Sequence, residues 1–144
     1  MAARKREAAH QVVDVGLPAL LVTVELRGMA LAADDDQHRA GDLEGAIAQS
    51  ELVEYQSGSV VSRTLIKKSA GTVTAFAFDA GEGLSEHTAP YDALVLVVDG
   101  TAEISIAGHV HTVTAGQLLK LPGGQPHAVR AITRFKMILV MIRA

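Results

Sequence analysis

Short hydrophobic runs with the texture of β-strands fill the chain from about residue 59 onward. They are rich in Val, Ile, Thr and Phe, and turn-forming pairs such as Asp99-Gly100, Ala107-Gly108 and Ala115-Gly116 separate them. The predicted strands are residues 60–66, 72–78, 93–98, 102–106, 109–113, 117–121 and 135–142. Many short strands at near-regular spacing, with no helix between them, predict an all-β antiparallel sandwich or barrel.

Two of these strands are apolar on both faces. Residues 93–98 read ALVLVV and residues 137–142 read MILVMI, so neither shows the alternation of a strand with one wet face. Another surface must then cover the outside of the barrel, and a second copy of the chain is the simplest cover. The pattern therefore predicts a homodimer.

The first part of the chain has a different composition. Residues 1–44 hold five basic and eight acidic side chains and carry the whole net charge of −3, together with an apolar run at 16–24 that is too short to span a bilayer. We expect a loosely ordered, partly helical or disordered extension at 1–44, followed by one barrel domain at 45–144. Within residues 42–55, Leu43, Ile47 and Leu52 roughly share a helical face, which predicts a short helix.

Charge and composition exclude several classes of partner and site. The basic residues 4–6 and the apolar run resemble the start of a signal peptide, but Asp14, Glu25 and Arg27 interrupt that pattern, so a cytoplasmic protein is expected. Cysteine is absent, which removes disulfides and thiolate metal sites. A mild acidic charge and 3% aromatic residues predict neither nucleic-acid nor membrane binding.

Two groups of glycines and histidines stand at characteristic spacings. Gly81 precedes His87 by five intervening residues, and Gly100 closes the first group. The second group comprises Gly116, Pro122, Gly124 and His127. These residues resemble the two motifs of the cupin family, whose first motif has a glycine, His-x-His, a glutamate and a closing glycine. The resemblance covers about residues 55–144 and implies a small antiparallel jelly-roll barrel (a double-stranded β-helix).

The resemblance also implies a divalent metal held by three histidines and a glutamate, but this chain departs from that set. Alanines stand at two of the four ligand positions, Ala89 and Ala93, so that only His87 and His127 remain as ligands; a third alanine, Ala131, takes the asparagine position of the second motif. His111 or Asp92 is the expected third ligand. Imidazoles with an added carboxylate suit Fe, Mn, Ni or Zn.

Two functions follow from this reading. In the first, the barrel lumen binds a divalent metal, a small organic ligand or both, and a metal-assisted reaction is the family-level expectation. In the second, the protein is a metal-free binding or sensing module; a dimeric scaffold with a vestigial site is a third option. The ligand is expected to contact His87, His127, Tyr91, Phe78 and Met137. Alanines in place of chelators predict a roomier, drier lumen. No catalytic residue is assigned.

Overall fold

A computed structural model describes residues 43 and 45–143. It contains nine strands: β1 Val60–Lys68, β2 Gly71–Phe78, β3 Gly83–His87, β4 Asp92–Asp99, β5 Thr101–Ile106, β6 His109–Thr114, β7 Leu118–Leu121, β8 His127–Ala131 and β9 Phe135–Ile142. A five-stranded sheet has the order β1-β2-β9-β4-β7, and a four-stranded sheet has the order β3-β8-β5-β6. All neighbouring strands are antiparallel. The fold is the all-β jelly roll predicted from the sequence.

Alternation along each strand places one set of side chains between the two sheets. The largest fully buried rings are Phe76 and Phe78 on β2 and Phe135 on β9. The centroid of Phe78 lies 4.4 Å from that of Phe135 and 5.9 Å from that of Phe76, within the range of favourable aromatic pairs. These three rings form the aromatic part of the core between the two sheets.

Two strands were missing from the sequence prediction, and both carry site histidines. β3 and β8 are only five residues long, and each mixes polar and small residues, so neither shows an apolar run. These two strands are held in the sheet by pairing with each other and, for β8, also with β5. Local sequence therefore did not indicate them.

The helix predicted over residues 42–55 is wrong for the described part of that segment. Only Gln49–Glu51 forms a 3₁₀ turn. The carbonyl groups nearby accept hydrogen bonds from sheet side chains instead: Lys136 Nζ donates to Ser50 O at 2.6 Å, and Arg63 Nη1 donates to Leu52 O at 3.0 Å. Cations from the sheet thus replace the helical donors that these carbonyls would otherwise need.

Residues 45–58, which we call the strap, lie on the outer side of the five-stranded sheet. Leu52 and Val53 are buried there against Val61, Ala75 and Ala77. The strap is fastened at its end by Tyr55, whose hydroxyl donates to Asp99 Oδ2 at 2.5 Å. Apart from residue 43, the predicted extension at 1–44 lies outside the described residues. None of the helical structure between 45 and 143 is long and apolar enough to cross a membrane.

A glycine-to-alanine pair tests the chain reversal between β4 and β5. Gly100 has φ +80°, and an added Cβ would overlap the Arg134 carbonyl oxygen and approach Phe135 Cα to 2.8 Å. Gly108 has a similar φ of +86° but open space around it. We expect Gly108→Ala to cost about 1 kcal/mol from backbone strain alone and Gly100→Ala to cost at least twice that. Urea unfolding measures both, and equal losses would contradict the packing argument.

Candidate functional site

The candidate site is a pair of histidines on neighbouring strands. β3 pairs with β8, and the register places His87 directly opposite His127. Their ring centroids lie 4.4 Å apart with the planes at 69°, an edge-to-face arrangement. His127 is 8% exposed, whereas His87 is half-buried. Two residues forty positions apart in the chain therefore face the same space inside the barrel.

Backbone carbonyls orient both rings in the same way. His87 Nδ1 lies 2.9 Å from Ser85 O, and His127 Nδ1 lies 3.2 Å from Gln125 O. A carbonyl oxygen can only accept, so each Nδ1 carries the proton and donates it. In the neutral imidazole the lone pair is then on Nε2, on the far side of each ring. When both rings are neutral, the pair therefore has two hydrogen-bond acceptors, or two metal-ligand atoms, at its Nε2 positions.

Burial favours the neutral form of His127, the more buried histidine of the pair. The pKa of His127 is lowered from its usual 6.5, first by burial, then by the nearby His87; the Gln125 carbonyl opposes the shift. Each effect has a direct cause, because an imidazolium loses hydration inside the barrel and is repelled by a second positive charge. At neutral pH His127 is therefore an acceptor and not a cation.

A small cavity, which we call the lumen cavity, adjoins the two rings. Most of its wall is apolar, and Tyr91 is among the residues that line it. The lining residues are Phe76, Leu84, His87, Ala89, Tyr91, Ala93, Val95, Leu121, His127, Val129, Met137, Leu139 and Met141. The volume open to the centre of a water molecule is about 30 Å³, enough for very few water molecules.

The expectation of a lumen roomier than that of a metal-loaded relative stays a prediction, but the cavity itself is small. Ala89 and Ala93 do face the cavity, but the space their small side chains leave is shared with Met137, Met141 and Leu121. Methionine is unbranched and flexible, so it fills irregular gaps that a missing chelator would leave.

Of the other predicted ligand contacts, two line the lumen cavity and one does not. Met137 and Tyr91 line the lumen cavity, as expected for ligand contacts. Phe78 does not, because it lies wholly inside the aromatic core between Phe76 and Phe135. The prediction missed Leu139, which lines the wall. Its signal was the alternation along β9, which places residues 137, 139 and 141 on one face.

Neither expected third metal ligand joins the histidine pair. Asp92 is exposed, and its Oδ1 accepts a hydrogen bond of 2.8 Å from the Gly123 backbone N–H. His111 pairs with Ile104 in register but is exposed on the edge strand β6 and does not line the lumen cavity. Among residues 43 and 45–143, no three His, Asp or Glu side chains come together as a metal-binding group.

Comparisons with known proteins identify the framework that holds this site. The family model for the Cupin domain matches residues 75–143. The solved structure of a conserved Streptococcus pyogenes protein of unknown function shares 32% identity over 69% of this chain and 88% of its own, with a TM-score of 0.67. A cupin superfamily protein from Desulfitobacterium hafniense shares 25% identity over 71% of this chain and 94% of its own, with a TM-score of 0.68. The chain belongs to the cupin family.

A third cupin structure shows the same likeness over part of its length. A cupin 2 conserved barrel domain protein from Leptotrichia buccalis is 40% identical over 65% of this chain but only 46% of its own, with a TM-score of 0.64. Comparison with curated proteins returns no match. Ala89 and Ala93, which stand at two of the four cupin ligand positions, are buried, as is Ala131 at the asparagine position of the second motif. This cupin thus has methyl groups at two positions where its motifs carry metal ligands.

The depressed pKa of His127 predicts a pH-dependent stability. The unfolded chain protonates this histidine near pH 6.5, whereas the folded protein does so only at lower pH, so the unfolded state binds more protons as the pH falls. We expect the wild type to lose stability relative to His127→Asn between pH 7.5 and pH 5. Urea unfolding across that range measures it.

His109→Asn, which alters an exposed histidine outside the cavity, is the matched control and should follow the wild-type curve. A difference between wild type and His127→Asn that stays constant with pH would contradict the burial argument.

Proposed function

We propose that this cupin binds a small molecule in the barrel lumen, with His87 and His127 as its polar anchors. One observation carries the proposal: two imidazoles with carbonyl-bound Nδ1 atoms stand edge to face beside an otherwise mostly apolar cavity. Apolar walls with a few convergent polar groups are typical of small-molecule sites. A cytoplasmic location is part of the proposal and rests on the sequence pattern.

The state of the histidines defines the chemistry of the ligand. A neutral imidazole whose Nδ1 already donates can only accept at Nε2, so the ligand should offer a hydroxyl or N–H group. The rest of the ligand should be compact and apolar, because it meets Met137, Leu139 and Met141. A cavity of about 30 Å³ admits such a ligand only with some movement of these side chains.

A divalent metal is the second candidate occupant. The Nδ1-to-carbonyl bonds are the outer contacts that usually orient metal-ligating histidines, which favours Fe, Mn, Ni or Zn at the two Nε2 atoms. Two imidazoles fall short of the three protein ligands usual in catalytic sites. A metal there would take the rest of its shell from water or from the organic ligand.

Binding of hydroxyl compounds tests the first candidate. We expect short-chain and branched alcohols to raise the melting temperature more than their methyl ethers, which cannot donate. Near a hundred times its Kd, a ligand stabilises the folded state by about 2.7 kcal/mol. His87→Leu keeps the wall apolar and removes one acceptor, and it should weaken binding about tenfold. His109→Leu is the matched control. Equal effects of alcohols and ethers would contradict the anchoring role.

Metal retention tests the second candidate occupant, a divalent metal. After loading with mixed divalent metals and dialysis, we expect the wild type to keep much less than one metal ion per chain, because two imidazoles bind weakly. Elemental analysis of untagged protein gives the number. Near-stoichiometric metal in the wild type that is lost in the double variant His87→Ala/His127→Ala would instead make the metal the occupant.

A further inference from the structure

The inner face of the five-stranded sheet is apolar along β4 and β9 but carries hydroxyl groups along β1 and β2. Side chains of β2 alternate, so Thr72 and Thr74 face the barrel interior together with Phe76, whereas Ala75 faces the strap. On β1, Ser62 faces inward opposite Phe76. We call Ser62, Thr72 and Thr74 the hydroxyl margin; they are buried, with 4%, 3% and 1% of their surfaces exposed.

One member of the hydroxyl margin has no hydrogen-bond partner. The hydroxyl oxygen of Thr74 is buried, and no group among the described residues bonds to it. A buried hydroxyl without a partner costs free energy that a valine of the same shape would avoid. Nearly all buried polar groups in proteins have a partner, so each exception calls for an explanation. The Thr74 hydroxyl can still donate one hydrogen bond and accept others.

Strand register places Thr74 in a row of residues that lines the lumen cavity. Thr74 is opposite Leu139 on β9, and Leu139 is opposite Val95 on β4. Leu139 and Val95 line the cavity, as does Phe76, which follows Thr74 by two positions on β2. Thr74 is not itself a lining residue. It therefore adjoins the cavity wall on the β2 side.

We propose that the ligand of the lumen carries a second polar group, which binds the Thr74 hydroxyl. This inference rests on the proposed function of the lumen, in which His87 and His127 accept a hydrogen bond from the ligand. The histidines belong to the four-stranded sheet and Thr74 to the five-stranded one, and facing sheets lie about 10 Å apart. The two anchors hold opposite ends of one compact molecule, and a shift of the Leu139 side chain admits the second end.

The surroundings of Thr74 restrict this second group to a neutral one. The register neighbours of Thr74, which are Thr64 and Leu139, are uncharged. A carboxylate or an ammonium group would lose its hydration there without gaining an opposite charge. A hydroxyl, a carbonyl or an amide can bind the threonine hydroxyl, whereas the histidine end requires a donor. The ligand class is therefore a small alcohol with a second, neutral hydrogen-bonding group a few carbon atoms away, such as a diol or a hydroxy ketone.

A matched pair of compounds tests the second anchor. 1,4-Butanediol and 1-pentanol are similar in size, but 1-pentanol has a methyl group in place of the second hydroxyl. Thr74→Val keeps the side-chain shape and removes the hydroxyl, so it should shift the ratio of the two affinities about fivefold against the diol. Thr112→Val, which alters an exposed threonine of β6, is the matched control and should keep the wild-type ratio. The methyl NMR signals of Met137 and Met141, which line the cavity, report both dissociation constants.

Urea unfolding of the same variants tests whether the Thr74 hydroxyl is unpartnered. Removal of an unsatisfied buried hydroxyl should raise the unfolding midpoint of Thr74→Val above that of the wild type, and Thr112→Val should leave the midpoint nearly unchanged. A lower midpoint for Thr74→Val would show that the hydroxyl already has a partner, such as a buried water molecule, and would overturn the proposal.

An affinity ratio that Thr74→Val leaves unchanged would also overturn the proposal. If His87→Leu still weakens the binding of both compounds in that case, the proposed function of the lumen is retained and only the second anchor is lost. If neither compound binds the wild type, the proposed function of the lumen is overturned together with this inference.

Discussion

The pairing of β3 with β8 is the constraint on which the barrel and the candidate site both depend. In that register Leu84 lies opposite Val129, and after an irregularity His87 lies opposite His127. Leu84 and Val129 join the core, and both imidazoles come to one end of the lumen. A slip of one residue in either strand would turn its side chains to the other face. The site is thus a consequence of how the four-stranded sheet is assembled.

Close packing explains why the loss of chelating side chains did not produce a large pocket. Protein interiors keep nearly crystalline density, so the volume freed at Ala89 and Ala93 is taken up by neighbours. Met137 and Met141 of β9 line the same cavity, and their flexible, unbranched side chains are suited to filling such space. What remains is a narrow space beside two acceptors. This arrangement favours a compact hydrogen-bonding ligand over a metal held entirely by the protein.

The five-stranded sheet carries hydrophobic side chains on both faces for two different reasons. The inner residues form the core with the four-stranded sheet, as Val95 and Met137 do. Part of the outer surface packs against the strap residues Leu52 and Val53, over Val61, Ala75 and Ala77. An apolar outer surface in residues 93–98 and 137–142 was evident from the sequence. How much of it the chain covers by itself was not.

Local signals determined most of the fold. Period-two apolar runs and turn glycines such as Gly100 are read within a few residues, and they predicted seven strands and an antiparallel sandwich or barrel. The jelly roll itself was implied by the resemblance to the cupin family. The motif spacing also brought His87 and His127 into one hypothesis. Long-range contacts decided the rest. The strands that carry the two histidines are held by pairing and not by propensity, and the strap takes its shape from Lys136 and Arg63.

The cavity wall was likewise decided in three dimensions. Phe78 and Met137 both read as inward-facing strand residues, yet Phe78 is in the aromatic core and Met137 lines the cavity. Asp92 and His111 fail to reach the histidine pair because one bonds a loop N–H and the other stands on an edge strand. Periodicity specifies which face a side chain takes. Its depth, its neighbours and the space beside it follow only from how distant strands pack together.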